Sequence, residues 1–507
     1  MCQLINIMMI AFKEKSLTRS YQMNRAPSIL VSLIPVVFLV ILLSINVMIF
    51  SDDSSYGPNQ LALFCAAMLT AFIGVFKLKL RYGDIEKKAV ASISISLQAI
   101  FILLIVGPLI SLWILSGVVP AMIYYGLELI NPHFFLPVSV IICSIVSMAT
   151  GSSWSTVGTI GIALVGVGQA LAIPEGMVAG AIVSGAYFGD KLSPLSDTTN
   201  LAPAMAGTEL FKHIRHMLYT TIPSITLTIL IFLIIGIFYQ GEGSDAEDIM
   251  TLKTTLENTF NLSPLLFALP LIVFVLVKKK VPAMPALFAG VLLGVVCALI
   301  FQMDLLIKLS DGEFSFSSFY KIVTEAAFAG YKSSTGDAIV DKLLSRGGMS
   351  SMLNTVWLIL MAMVFGGMME VTGMLNSLAL GILKFVRGVT SLVASTVATS
   401  IFLNLTTSDQ YISIVVTGGM FKKSYRDYNL DPKNLSRAVE DSATVTSVLI
   451  PWNTCGAYFS SVLGVATLTY LPFAFFNLIS PLMSIAIAAS GKTMDPLLEE
   501  ELAEEVH

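Results

Sequence analysis

Asp190 and Asp197 lie seven residues apart on either side of Pro194, in the stretch GDKLSPLSDTTN between two apolar segments. On a straight helix they would share one face, about two turns apart. The proline, with Ser193 and Ser196, breaks that helix and lets both carboxylates converge. A carboxylate buried in apolar surroundings is stable with a proton or with a cation, and the two then compete for one site. Lys191, the nearest cation in sequence, can neutralise a carboxylate when the ion is absent. The plainer alternative is a polar loop at a helix end.

Three other apolar stretches are interrupted in the same manner, at Thr150-Gly151-Ser152-Ser153-Trp154, at Thr406-Thr407-Ser408-Asp409-Gln410 and at Pro451-Trp452-Asn453-Thr454-Cys455. Unwound backbone at membrane depth costs several kcal/mol per unsatisfied polar group, so it persists only where it lines a cavity or is buried against protein. The oxygens gathered there suit a hard cation such as Na+, and half-helix ends add partial charge. The candidate ligands are Ser152, Ser153, Asp190, Ser193, Ser196, Asp197, Thr198, Asn200, Thr407, Ser408, Asp409, Asn453 and Thr454. Proton coupling falls to Asp190, Asp197, Asp409 and Asp441. Glu440 and Asp441 are equally consistent with a solvated first helical turn, where acids complement the positive terminus. No break offers the His or Cys ligands that a transition metal favours. His213 and His216 in FKHIRH have i, i+3 spacing but no third ligand, and they read as an electropositive surface helix. A role as a pH sensor is the alternative. Glu370 is expected at an interface, without a role.

These clusters need a frame of membrane helices. The chain has 507 residues, 55% hydrophobic and 12% charged, with 29 Lys and Arg against 33 Asp and Glu. About 25% charged residues would be ordinary for a soluble domain. The net charge of −4 excludes the basic excess of a nucleic-acid binder. Cys2, Cys65, Cys143, Cys297 and Cys455 lie far apart, which indicates neither a disulfide frame nor a zinc site. There is no Walker A sequence, no HExxH and no credible nucleophile elbow, so the chain reads as a non-enzyme driven by an ion gradient, without a cofactor.

Apolar blocks long enough to span a bilayer run over 28–50, 59–76, 92–116 and 220–238, and again over 263–277, 283–301, 351–371 and 467–490. Hairpins are expected at 134–171 and 389–421, and broken crossings at 176–206 and 436–464. Lys and Arg in the loops place both termini in the cytoplasm. Residues 310–348 are not placed by pattern, and a short crossing at 117–130 would reverse the hairpin sides. Each half makes about five crossings. Because five is odd, two copies in one chain must lie in opposite orientation, the inverted-repeat plan of secondary transporters. The register agrees: Pro194 and Pro451, Gly161 and Gly418, Thr150 and Thr407, and Gly207 and Gly464 are each 257 apart. The expected fold is an all-α polytopic membrane protein of two inverted-topology repeats, each with a re-entrant helical hairpin and a broken, unwound transmembrane helix. The divisions are 1–27 as a cytoplasmic leader, 28–240 as repeat 1, 241–262 as an external acidic linker, 263–490 as repeat 2 and 491–507 as an acidic cytoplasmic tail.

The stretches GAYFGDKLSPLSDTTNLAPAMAG, TSDQYISIVVTGGMFKKSY and LSRAVEDSATVTSVLIPWNTCGAYFSSVLG resemble the NhaC family of sodium/proton antiporters, within the wider ion-transporter superfamily. The likeness extends from about Ser28 onward. It implies a bacterial inner-membrane antiporter exchanging Na+ for H+, with Asp190, Ser193, Asp197, Thr198, Asn200, Asp409, Asn453 and Thr454 on the family's polar breaks. Related carriers suggest the alternative, a Na+-coupled organic anion or amino-acid transporter such as a malate-lactate antiporter. Expected partners are the lipid bilayer, Na+ and H+. Homodimerisation is left open.

Overall fold

The computed structural model describes residues 27–50, 54, 56–129, 131–238, 246–310, 312 and 314–497. Most of the expected leader and acidic tail, the start of the linker at 241–245, and Cys2 lie outside the described residues. Among the described residues the structure is helical, with one isolated bridge between Leu430 and Pro496. Eight helices are long and apolar enough to cross a membrane, or ten if each of two sharply bent pairs forms one span. The expected all-α polytopic architecture is therefore present.

The helices form two compact units. One comprises the described parts of Met1–Ile95 with Leu360–Val386. It contains Ile29–Phe50, Pro58–Phe76 and Met374–Leu383. In it Lys88 and Glu370 pair at 3.0 Å, each about a third exposed. The other comprises Ser96–Ile359 with the described residues from Arg387 onward and holds every candidate site residue. Its 310–348 region, unplaced by pattern, contains the helices Phe316–Ala329 and Ala338–Leu344, and 117–130 contains the short helix Val118–Leu129.

Within the second unit the first interrupted segment runs from α1 (Phe135–Thr150) through Ser153–Thr156 and a π turn at Val157–Gly161 into Ile162–Ala170. It is followed by α2 (Glu175–Leu192), α3 (Asp197–Ala206) and α4 (Leu210–Phe238). The later counterpart runs through α5 (Val389–Thr407), α6 (Gln410–Asp427), α7 (Pro432–Val439), α8 (Thr454–Leu463) and α9 (Phe475–Ser490). Between α7 and α8 lie a π turn at Glu440–Thr444 and a 3-10 turn at Ser447–Leu449.

The chain stops and restarts its helices at equivalent places. Gly151 and Ser408, 257 apart, both take left-handed backbone at the ends of α1 and α5, with φ of 68° and 59°. Each is followed by an N-cap, Ser152 or Asp409, whose side chain accepts an amide hydrogen bond. Ser196 and Asn453 stand at the N-caps of α3 and α8, and Gly207 and Gly464 close those helices in left-handed conformation. Glycine is required at 151 for space as well as for φ, because a Cβ there would lie 2.5 Å from Leu195 Cβ. Gly185 and Gly189 on α2 let the backbone of α1 come close at Val140 and Ser144.

Three element boundaries differ from expectation. α2 continues to Leu192, so Asp190 and Lys191 occupy its last turn and the break is confined to 193–196. The serine and proline of SP end the helix only after the carboxylate and ammonium are in place. The segment expected at 220–238 begins nearly three turns earlier, at Leu210, so FKHIRH is helical. The second broken segment starts at Pro432 and passes through a π turn, which apolar periodicity does not signal.

Candidate functional site

The last turn of α2 aims two opposite charges in different directions. Lys191, wholly buried, pairs with Asp441, also wholly buried, on the π turn. Ser480 on α9 lies 3.2 Å from Lys191 Nζ and 3.3 Å from Asp441 Oδ1, and Thr220 on α4 donates to the same oxygen at 3.1 Å. Four elements thus meet at one ion pair. Removing two charges from water is costly, and only close geometry with added hydrogen bonds repays it. The two hydroxyls supply those bonds. Lys191 is the charge partner expected from sequence, and its carboxylate is Asp441, 250 residues away.

Asp190 turns to the first interrupted segment. Its Oδ2 accepts from the Ser153 amide at 3.1 Å and from Ser153 Oγ at 2.7 Å. Thr199 Oγ1 donates to the carbonyls of Asp190 and Lys191, at 3.2 and 3.0 Å, adding to the Ser193 amide that already reaches the Asp190 carbonyl at 3.1 Å. Asp197 opens α3 on its exposed side and so is separated from Asp190 in environment. Asp190 bonds to Ser153 and Lys191 to Asp441, while Asp197 lies within electrostatic reach of Asp190. Ser193 accepts from the Leu195 amide at 3.3 Å, Ser196 and Thr198 share a hydrogen bond of 3.1 Å, and exposed Asn200 donates to the carbonyls of Pro194 and Ser196 at 2.9 and 2.6 Å.

The second pair of breaks is held together by backbone and caps. The Thr454 amide donates to the Ser408 carbonyl at 2.9 Å, and Thr454 Oγ1 approaches Asp409 Oδ2 at 3.5 Å. Asp409 Oδ1 accepts from the Ile412 amide at 3.0 Å. Asn453 accepts from the Cys455 amide at 3.1 Å and donates to the Asn404 carbonyl at 3.2 Å. Thr407 spends its hydroxyl on the Leu403 carbonyl at 2.8 Å. Ser152 caps its helix by accepting from the Ser155 amide at 3.1 Å. Ser408 Oγ is buried without a partner. Tyr187 on α2 and Gln410 on α6 both reach Ser447, at 3.3 Å each, so one hydroxyl joins the two groups of breaks.

Several contributors escape a reading of the sequence. Asn404 donates from inside α5 to the Ala443 carbonyl at 2.7 Å, and Ser480 sits as a single hydroxyl in an apolar run, while Thr220 and Ser447 stand beside other hydroxyl residues that nothing in the pattern sets apart. Glu440, which sequence allowed as a solvated first turn, is wholly buried, with neither carboxylate oxygen hydrogen-bonded. His213 and His216, expected on a surface, are buried because α4 packs on α7. His213 Nδ1 lies 2.8 Å from Ser436 Oγ, and His216 Nε2 lies 3.2 Å from Asn434 Oδ1.

Residues 185–492, which include the breaks from Asp190 onward, match the model of the Na+/H+ antiporter family. The chain is 39% identical over 432 residues to the Na+/H+ antiporter NhaC of Alkalihalophilus pseudofirmus, covering 85% of this chain and 90% of that one. It is 38% identical over 457 residues to the malate-2H+/Na+-lactate antiporter of Bacillus subtilis, covering 90% and 93%. It is 32% identical over 499 residues to the arginine/ornithine antiporter ArcD of Halobacterium salinarum, covering 98% and 99%. By the match of its polar breaks and by identity over most of its length, the chain belongs to the Na+/H+ antiporter family.

Proposed function

We propose that this protein exchanges Na+ for H+ across a bacterial cytoplasmic membrane by alternating access. The observation that carries this reading is the last turn of α2, where Asp190 and the Lys191–Asp441 pair stand buried beside a helix break in a chain of this family. Asp190 with Ser153 is the proposed Na+-binding centre. Ser152, Ser193, Ser196 and Thr198 shape its surroundings, and Thr407, Ser408, Asp409, Asn453 and Thr454 form the equivalent lining on the other side. Asp197 and Asn200 occupy the exposed approach. Lys191 stabilises Asp441 and so keeps a net charge out of the protein interior while the ion is away.

The architecture behind this mechanism is a pair of inverted repeats, 28–240 and 263–490, each with a re-entrant hairpin and a broken helix. The helix ends and caps that recur 257 residues apart support it. Both termini are assigned to the cytoplasm from the placement of Lys and Arg. Transport of an organic anion is the competing reading, given the malate-lactate relative. An anion would need a cation free to meet it, and Lys191, the cation within the breaks, is already paired. In proteoliposomes, outward Na+ movement should acidify the lumen without added carboxylate, and Asp190→Asn should raise the Na+ concentration needed. A strict requirement for malate, lactate or arginine would replace this reading with the other.

A further inference from the structure

We infer that Glu440 carries the exchanged proton, separately from the carboxylate that binds Na+; this rests on the antiport reading above. Four carboxylates are buried around the breaks, and three have donors. Asp190 has the Ser153 amide and hydroxyl, Asp409 has the Ile412 amide, and Asp441 has Lys191, Thr220 and Ser480. Glu440 alone among these four has both oxygens buried and without a hydrogen-bond partner. An ionised carboxylate without donors is among the most costly groups to remove from water, so a proton or a nearby cation must neutralise it.

The position of Glu440 makes that neutralisation useful. It opens a π turn, a rare backbone form that recurs at functional sites. The Thr198 and Thr444 side chains stand beside it, and Asp190 and Lys191 are within electrostatic reach. Thr444 Oγ1 is likewise buried and unpartnered. The charged groups on the elements around the turn include Asp190 and Lys191 on α2, Asp197 on α3, Asp409 at the start of α6 with Lys422, Lys423, Arg426 and Asp427 farther along it, Lys433 and Arg437 on α7, and Asp441 next in sequence; α9 contributes Ser480. Na+ arriving at Asp190 favours the ionised form of Glu440, whose proton leaves to water. A proton returning to Glu440 removes a negative charge from the neighbourhood and weakens Na+ binding. Exchange then follows from electrostatic coupling between two sites, with no need for both ions to share one carboxylate.

The test uses the full-length protein in proteoliposomes, with Glu440→Gln to mimic the protonated form and Glu440→Asp to keep the acid. Two fluxes are measured: 22Na+ counterflow against internal Na+ at equal pH, and 22Na+ uptake driven by a pH difference. The inference predicts that Glu440→Gln retains counterflow but loses pH-driven uptake by about tenfold or more, while Glu440→Asp retains both. PH-driven uptake by Glu440→Gln at the native rate would overturn it. So would loss of counterflow in a Glu440→Gln protein that elutes as the native species, because that marks a Na+ ligand or a structural group. Absence of Na+ counterflow and of pH-driven uptake in the unaltered protein would instead remove the antiport reading on which the inference rests.

Discussion

The buried ion pair gives the sharpest prediction about stability. Replacing Lys191 with Met leaves Asp441 charged, wholly buried and supported only by the hydroxyls of Thr220 and Ser480. Replacing Asp441 with Asn leaves the ammonium with Ser480 and a neutral carbonyl. Breaking one side of a fully buried pair costs about 3–5 kcal/mol. At about 1.4 kcal/mol per tenfold, each single variant should shift the unfolding equilibrium by about two to three and a half orders of magnitude. The double variant removes both charges, keeps an acceptor for Thr220 and Ser480, and substitutes a side chain of similar length. It should therefore recover at least about 2 kcal/mol of the summed single losses, a coupling within the range seen for contacting residues. Unfolding in mixed dodecylmaltoside and sodium dodecyl sulfate micelles, followed by the fluorescence of Trp113, Trp154, Trp357 and Trp452, provides the cycle. Additive losses, or single losses below about 1 kcal/mol, would refute the reasoning by showing that the two charges do not depend on each other.

Other expectations concern the breaks, the packing of α4 on α7 and the contact of Lys433 with Asp495. Gly151→Ala combines a left-handed conformation with a Cβ 2.5 Å from Leu195 Cβ and should destabilise by about 2–4 kcal/mol, whereas Ser408→Gly should be neutral or mildly stabilising. Equal effects at the two positions in thermal denaturation would contradict this. The variant His213→Gln/His216→Gln should keep the pH profile of transport while losing about 1–3 kcal/mol of stability, because the rings bond to Ser436 and Asn434 in the packing of α4 on α7, with the Asp495 carboxylate 3.9 Å from His216 Nδ1. A displaced profile would restore the sensor reading. Lys433 donates to Asp495 at 2.8 Å and holds its carboxyl below the usual carboxylate range. This contact stabilises the fold above the unfolded-chain value near about 4 and is lost as pH falls through the depressed folded value. Hydrogen exchange at the Asp431 amide, which donates to the Asp495 carbonyl at 3.0 Å, should therefore quicken in Asp495→Asn at neutral pH, and an unchanged rate would show that the backbone contacts suffice.

The breaks were legible because Gly, Pro, Ser and Thr interrupt otherwise apolar segments, and glycine or a short polar cap is what such ends require. The shared offset of 257 was visible in a few residues and becomes clearer in the backbone, where Gly151 and Ser408 adopt one conformation with different side chains. What could not be read was burial. An acidic pair at a helix start has the same pattern whether solvated or enclosed, so the enclosure of Glu440 and Asp441 depends on α4 and α9, far away in sequence. Helical hydroxyls are equally silent: Ser224 and Thr228 bond back to their own helix at 2.7 and 2.8 Å, whereas Thr220 on the same helix also reaches Asp441. The place of Asp190 differed for a local reason, since a helix can continue to the residue before Ser193-Pro194 and carry a functional side chain on its last turn.

The central claim is exchange of Na+ for H+ by the buried carboxylates around the helix breaks. Purified protein in vesicles loaded with Na+ and a pH-sensitive dye, diluted into Na+-free medium of equal pH, should acidify the lumen, and malate, lactate and arginine should be dispensable. A lumen that stays at constant pH while 22Na+ leaves, or one that acidifies only when an organic solute is supplied, would contradict it.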